Sequence, residues 1–267
     1  MSRRAERFKR VLNKPKMINE IFRDQLETAL HEHKRSNRGL FFSAISAGLE
    51  IGFSIFLMAT LYSLFVNNIE PSTLHILLSV AYPLGFIFVI IGKSELFTEH
   101  TTLAVIPVLT GDVSILNFLR LLGIVYSGNL IGGYLFSSIL TYLSNGIGIM
   151  TPGALISLAN KFIDFKWSLI LGSGILAGWL MGLLSWLITS SQDTISRIFI
   201  IFMVTTVIGI GALHHSIVGS IEVFTGMLLS DEITFLKYLK TQFWSTIGNL
   251  VGGIVFVALV KFSHVNK

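Results

Sequence analysis

The chain has no cysteine, which excludes a disulfide framework, a thiolate metal site and a cysteine nucleophile. Charge is scarce as well. Asp, Glu, Lys and Arg make up 13% of 267 residues, about half the share of a soluble domain. No phosphate-binding glycine loop, catalytic triad, His-Glu-x-x-His zinc helix or nucleic-acid module can be found. No enzyme activity, cofactor or nucleic-acid partner is therefore expected. What is abundant is apolar: 52% of the residues, enough to exclude disordered, collagenous and coiled-coil classes. The reading is an all-α integral membrane protein.

A spanning helix needs about 20 mainly apolar residues. Residues 41–66, 118–142, 167–189 and 243–260 meet that requirement. Two further stretches, 74–109 and 198–229, are too long for one crossing and are interrupted by charge. Lys93, Glu95, Glu99 and His100 fall in the first, and His214, His215 and Glu222 in the second. Six passes follow, with passes two and five discontinuous. The first apolar run begins near residue 40, too far in for the apolar core of a signal peptide.

Basic residues are unevenly spread. Eleven of the twenty lie in residues 1–38. With six passes, Arg120, Arg197, Lys261 and Lys267 join that side, against Lys161, Lys166, Lys237 and Lys240 on the other. The positive-inside rule then places both termini in the cytoplasm. The domain reading is a basic cytoplasmic arm over 1–38, one transmembrane domain over 39–260 and a cytoplasmic tail over 261–267. Within the arm, Met17, Ile18, Ile21, Phe22, Leu26 and Ala29 recur at helical spacing. They predict an amphipathic helix on anionic lipid head groups or on a neighbouring subunit.

The two halves of the membrane domain, 41–145 and 165–260, resemble each other. Ser94-Glu95-Leu96-Phe97-Thr98 matches Ile221-Glu222-Val223-Phe224-Thr225 at an offset of 127. Gly48-x-x-x-Gly52 matches Gly174-x-x-x-Gly178 at 126, and Gly128-Asn129 matches Gly248-Asn249 at 120. Each copy holds three passes, an odd number, so the second is inverted relative to the first. Inverted 3+3 repeats with broken helices at matching positions place a solute path between the repeats. The glycine pairs are packing devices.

Glu95-Leu96-Phe97-Thr98, His215-Ser216-Ile217 and the two Gly-Asn pairs resemble motifs of the formate/nitrite transporter family, over nearly the whole membrane region. The resemblance implies an aquaporin-like fold, a homopentamer with one pore per subunit in a bacterial inner or plasma membrane, and passage of small monovalent anions. It matches Thr98 and His215 to the family's loop threonine and pore histidine. Tyr82, Phe86 and Ile208 fall at its apolar constrictions, and Lys161 is nearest to its vestibule lysine. The chain departs from the pattern in having His214 where the family has glutamate, Lys93 where it has a small residue, and Gly178 where it has asparagine. Glu50 and Glu222 stand at usually apolar positions.

Ionisable groups at membrane depth are costly and must find partners or water. Glu50, Glu95, His214 and Glu222 are expected to form a supporting polar network, with Glu95 and Glu222 hydrogen-bonding loop amides in the two halves. Glu99 and His100 are expected at the polar end of a half-helix. Lys93 has two open readings, a cation facing the path or an ion pair with Glu50 or Glu95. Asn129 reads as interhelical glue, and Asn249 as either glue or path. His215 is the candidate to pass the anion a proton, because imidazole titrates within physiological pH. Two other functions stay open. One is a scaffold or sensor whose pore is blocked by charge at Lys93; the other is a divalent-metal protein using His214, His215 and Glu222. A water or neutral-solute channel ranks lower, since the Asn-Pro-Ala signature is absent.

Overall fold

The computed structural model describes residues 15–265. Residues 1–14 of the basic arm expected over 1–38 and the last two residues of the tail lie outside these residues. Every regular element among them is helical. Within hydrocarbon that is required, because each backbone N–H and C=O must be satisfied inside its own segment.

Helix α1 (Ile18–Lys34) opens with the Glu20 carboxylate accepting from the Met17 N–H at 2.7 Å, and His31, His33 and Lys34 fill its last turn. Both ends suit the helix dipole. Its buried stripe of Ile21, Phe22, Gln25 and Ala29 packs on this chain's own bundle, with Ile21 and Phe22 against Ile106 and Trp186. Phe22 also meets Phe262 at 6.0 Å. The expectation of a lipid or neighbouring-subunit contact is narrowed accordingly: Ile21, Phe22 and Ala29 are covered from within, while Met17 and Ile18 stay exposed. The same contacts bring the two ends of the described chain to one face.

The bundle follows in chain order. Helix α2 (Asn37–Phe65) is capped by Ser36; α3 (Pro71–Ala81) and α4 (Pro83–Gly92) meet at Tyr82. Helix α5 (Phe97–Leu109) starts after a four-residue break. Helix α6 (Ile115–Ser144) crosses back, and the short α7 (Pro152–Asn160) leads to α8 (Trp167–Ser190). Helices α9 (Thr194–Ile210) and α10 (Ser216–Leu229) flank a second break. Helix α11 (Phe235–Gly253) runs through a π-helical stretch, Ile254–Leu259, into α12 (Val260–Val265).

Five stretches are each long and apolar enough to cross a bilayer: Asn37–Phe65, Pro71–Gly92, Ile115–Ser144, Trp167–Ser190 and Phe235–His264. The fifth pass is divided between α9 and α10, both shorter than a span. The expected breaks in passes two and five are present. The last helix starts eight residues earlier than the apolar run at 243, since Lys237 and Lys240 leave its first turns for Asp164 (3.0 Å) and the Phe165 carbonyl (2.6 Å). Long basic side chains of this kind reach for polar partners while their stems stay with the helix. Large apolar side chains such as Phe42, Leu116, Ile195 and Leu236 point outward, as a lipid surround demands.

The halves use the same contacts, in a register that corrects two of the sequence matches. An alanine Cβ at Gly132 would lie 2.1 Å from the Ile45 carbonyl oxygen, and one at Gly252 would lie 2.1 Å from that of Ile175. The same clash pairs Gly48 with the Asn129 oxygen and Gly178 with the Asn249 oxygen, each at 2.2 Å. Gly48 therefore corresponds to Gly178, an offset of 130 rather than 126. In the broken helices the offset is 119, as the site below makes plain, so Glu95 corresponds to His214. Glu222 lies inside α10 and is not the counterpart of Glu95; the shared Glu-x-Phe-Thr letters are coincidental.

Candidate functional site

Each break turns on one left-handed residue, Lys93 at φ 63° and Ala212 at φ 45°. Next to each, an amide reaches back five residues: Ser94 N–H to the Val89 carbonyl (3.0 Å) and Leu213 N–H to that of Ile208 (3.1 Å). A buried asparagine then clamps each loop. The Asn129 side-chain oxygen accepts from the Phe97 N–H at 2.8 Å, while its amide donates to the Ala44 and Glu95 carbonyls, both 2.8 Å. Asn249 repeats the pattern on Ser216 N–H (2.8 Å), the Gly174 carbonyl (2.8 Å) and the His214 carbonyl (2.9 Å). The first amides of α5 and α10 would otherwise be orphans. Asn249 is thus a strut with its polar atoms committed to backbone, and the reading of it as a path residue is corrected.

These struts hold two side chains together. Thr98 Oγ1 lies 2.7 Å from His215 Nε2, and both residues are buried. His215 Nδ1 accepts from the Val218 N–H at 3.3 Å, capping α10. A neutral ring so placed carries its proton on Nε2 and donates to Thr98, which leaves the threonine O–H hydrogen to be offered elsewhere. Phe86 stands edge-on to His215 at 5.2 Å, with Tyr82 a further 5.3 Å away.

Two cavities flank this pair and share no lining residue. One, with about 420 Å³ of open space, is lined by Tyr82, Ile208, Lys161, Glu222, Ser79 and His75 among others. The other, with about 630 Å³, is lined by Ile90, Lys93, Glu95, Glu99, His100 and Arg35 among others. Tyr82, Phe86 and Ile90 lie on one helical face at spacings of four. The closed zone between the cavities is therefore about 12 Å long, at 1.5 Å per residue. Thr98, Phe86 and His215 form its waist. Tyr82 and Ile208 belong to the first cavity's wall.

The expected supporting network is dispersed. Glu50 Oε1 accepts from Ser46 (2.8 Å) and Ser94 (3.0 Å), and Oε2 has no partner among the described residues. Glu95 is ion-paired with Arg35 and His100 instead of binding loop amides, and Arg35 also reaches Glu32 at 2.7 Å. Burial works against the Arg35 charge, but Glu32 and Glu95 outweigh it and hold its pKa above the ordinary value. His214 bonds Ser173 Oγ (3.0 Å) and the Phe162 carbonyl (3.2 Å), its ring between Phe162 and Phe165. Glu222 faces the first cavity. The proposed metal set of His214, His215 and Glu222 is not assembled, because each has a separate environment. Glu32, Glu95 and His100 do converge, with ligand atoms within 4.8 Å, but Arg35 already compensates those carboxylates. Sequence reading missed Arg35 and Glu32; their i,i+3 spacing just before the first pass was the available signal.

Lys93 is exposed in the second cavity and makes no ion pair among the described residues. The pairing with Glu50 or Glu95 is corrected: a left-handed backbone turns the lysine toward open space, and Arg35 and His100 occupy Glu95. A non-glycine residue at φ 63° is strained by about 1–2 kcal/mol, so Lys93→Gly is expected to raise thermal stability slightly, by up to about 1 kcal/mol.

At the other mouth, burial pulls the Lys161 ammonium below the usual lysine range, with Glu222 pushing back. Its charge is lost at lower pH than that of a solvent-exposed lysine.

Two breaks, two matching struts and a closed waist between open cavities define a helical membrane protein of the broken-helix transport type. A family model described as Formate/nitrite transporter matches residues 19–263, and the chain belongs to that family. The Inner membrane protein YfdC of Escherichia coli (strain K12) is 29% identical, covering 93% of this chain and 83% of the relative. The Nitrite transporter NirC of Salmonella typhimurium is 25% identical, covering 83% and 81%. A structure titled FNT family ion channel superposes with a TM-score of 0.79 at 22% identity, over 91% of this chain and 98% of that one. A Pentameric formate channel with formate bound gives 0.74 at 20% identity, over 86% and 98%. At these identities the structural likeness speaks for the fold.

Proposed function

We propose that the chain is a channel or transporter for small monovalent anions of the formate/nitrite class, moving between the two cavities through the Thr98–His215 waist. The carrying observation is the buried 2.7 Å contact between these side chains, between two cavities that share no lining residue. A bare anion entering so apolar a zone pays a large desolvation cost, while its neutral acid loses far less. In this mechanism Lys161 or Lys93 draws the anion to a mouth, and the Thr98 hydroxyl orients it. A proton delivered through His215 lets it cross as the acid. The N-terminal ends of α5 and α10 add partial positive charge at the breaks.

The nitrite transporter relative and the pentameric formate channel support the substrate class and a homopentamer for this chain as well. The domain reading stands as a proposal in the same way: basic arm, single membrane domain over 39–260, short tail. So does the orientation with both ends in the cytoplasm, where the basic arm would lie beside anionic head groups. The exposed position of Lys93 in the lining of the second cavity supports transport over the charge-blocked scaffold.

The test is uptake of formate and nitrite into proteoliposomes, with internal pH recorded. Thr98→Val should cut uptake at least about tenfold. His215→Asn keeps a polar side chain but cannot carry a proton at neutral pH, so acid-coupled internal acidification should be lost. Undiminished acidification in His215→Asn would remove the histidine from the mechanism.

A further inference from the structure

Two buried polar atoms in the first cavity have no work in the mechanism above. Glu222 Oε2 and the Tyr82 hydroxyl both lack a hydrogen-bond partner among the described residues. Glu222 is 3% exposed and Tyr82 4%. Both line the same cavity as Lys161, whose ammonium makes no hydrogen bond or ion pair among those residues. They come from opposite halves of the chain, Tyr82 from the α3–α4 junction and Glu222 from α10. Buried polar groups are nearly always satisfied, so a pair of orphans facing one space calls for an occupant.

The three groups differ in what they accept. The Lys161 ammonium offers only donors, the Glu222 carboxylate when ionised only acceptors, and a tyrosine hydroxyl one of each. An anion that carries lone pairs alone, such as formate, nitrite or acetate, satisfies Lys161 but sets its lone pairs against Glu222. An anion that also bears an O–H satisfies all three. We propose that Glu222 and Tyr82 form a specificity site that reads a hydrogen-bond donor on the passing anion, while Lys161 holds its negative end. The chain then favours donor-bearing monovalent anions, such as hydroxy acids, over donor-less ones of equal size. This rests on the anion-transport reading and narrows it. A site built around a substrate hydroxyl discriminates far more strongly than one that only senses size.

Glycolate and acetate, nearly the same size and differing by one hydroxyl, make the probe pair, measured as initial uptake into proteoliposomes of the full chain. Wild type should take up glycolate at least about tenfold faster than acetate. Glu222→Leu should bring the ratio close to one. Should that variant fail to fold, Tyr82→Phe and Glu222→Gln carry the test, each lowering the ratio at least threefold, on the order of a single lost hydrogen bond. A wild type with no preference, or a ratio unmoved by every variant, overturns the specificity site and leaves anion transport standing. Uptake of methylammonium that is abolished in Glu222→Leu overturns it too, since Glu222 would then be reading a cation. Absence of any anion uptake by wild type defeats the transport reading itself, and this inference with it.

Discussion

Alanine at Asn249 is expected to lower stability by about 3 kcal/mol and to abolish most solute flux. The Ser216 N–H at the start of α10 loses its acceptor at 2.8 Å, and the Gly174 and His214 carbonyls lose a donor. A buried donor left unsatisfied costs about 1–3 kcal/mol, and an under-satisfied carbonyl costs less. The functional loss follows from geometry: the loop that Asn249 clamps ends in His215, so freeing it moves the imidazole off Thr98. Asn129→Ala should do the same from the other side, releasing the loop that precedes Thr98. The two effects on stability should be close to additive, since the two asparagines share no hydrogen-bond partner. Thermal unfolding in detergent, followed by proteoliposome flux, checks both. Wild-type melting and flux in either variant would show that the struts are dispensable.

Alanine at Gly178 is expected to be more damaging still. Its Cβ would sit 2.2 Å from the Asn249 carbonyl oxygen and 2.5 Å from that residue's Cα. Both are backbone atoms, so no side-chain rotation relieves the clash, and α8 must move away from α11. Overpacking of a tight core typically costs 1–3 kcal/mol. Here the displaced helix also carries the Gly174 carbonyl away from the Asn249 strut, so a loss of about 4 kcal/mol or more is expected, with little folded protein recovered. Gly48→Ala, facing the Asn129 oxygen at 2.2 Å, should behave alike. Gly172→Ala is the control, because nothing lies within 4 Å of its added methyl. Size-exclusion profiles and melting curves of the three variants decide the matter. A monodisperse, wild-type-like Gly178→Ala would refute the close packing of α8 on α11.

The family and the helical membrane fold were legible in the residues themselves. Long apolar runs can only be helices in lipid, and charge inside two of them marked where those helices break. Thr98 and His215 were legible as a pair only through family motifs, since 117 residues separate them. The internal repeat was legible in kind but not in register. Letter matching joined Glu95 to Glu222, whereas backbone hydrogen bonds join it to His214, because in a tertiary contact the equivalent position is defined by the partner and not by the residue type. The Arg35–Glu95–His100 cluster was opaque for a related reason. Arg35 precedes the membrane domain, and nothing local in the chain reports that α1 folds back over the second cavity.

What the chain's hydropathy and motifs determined alone was the solvent around it, the helical class, the two discontinuities and the family. These depend on hydropathy and local motif, which are properties of neighbouring residues. What only the tertiary structure decided was the fate of each buried polar group. Asn249 is a strut, Lys93 stands free at a mouth, His214 is tied to Ser173, and Glu222 and Tyr82 are left open to a cavity. The physical reason is that a polar side chain at membrane depth takes whatever partner three-dimensional packing brings within about 3 Å. That partner comes from distant segments whose approach is set by glycine contacts between helices.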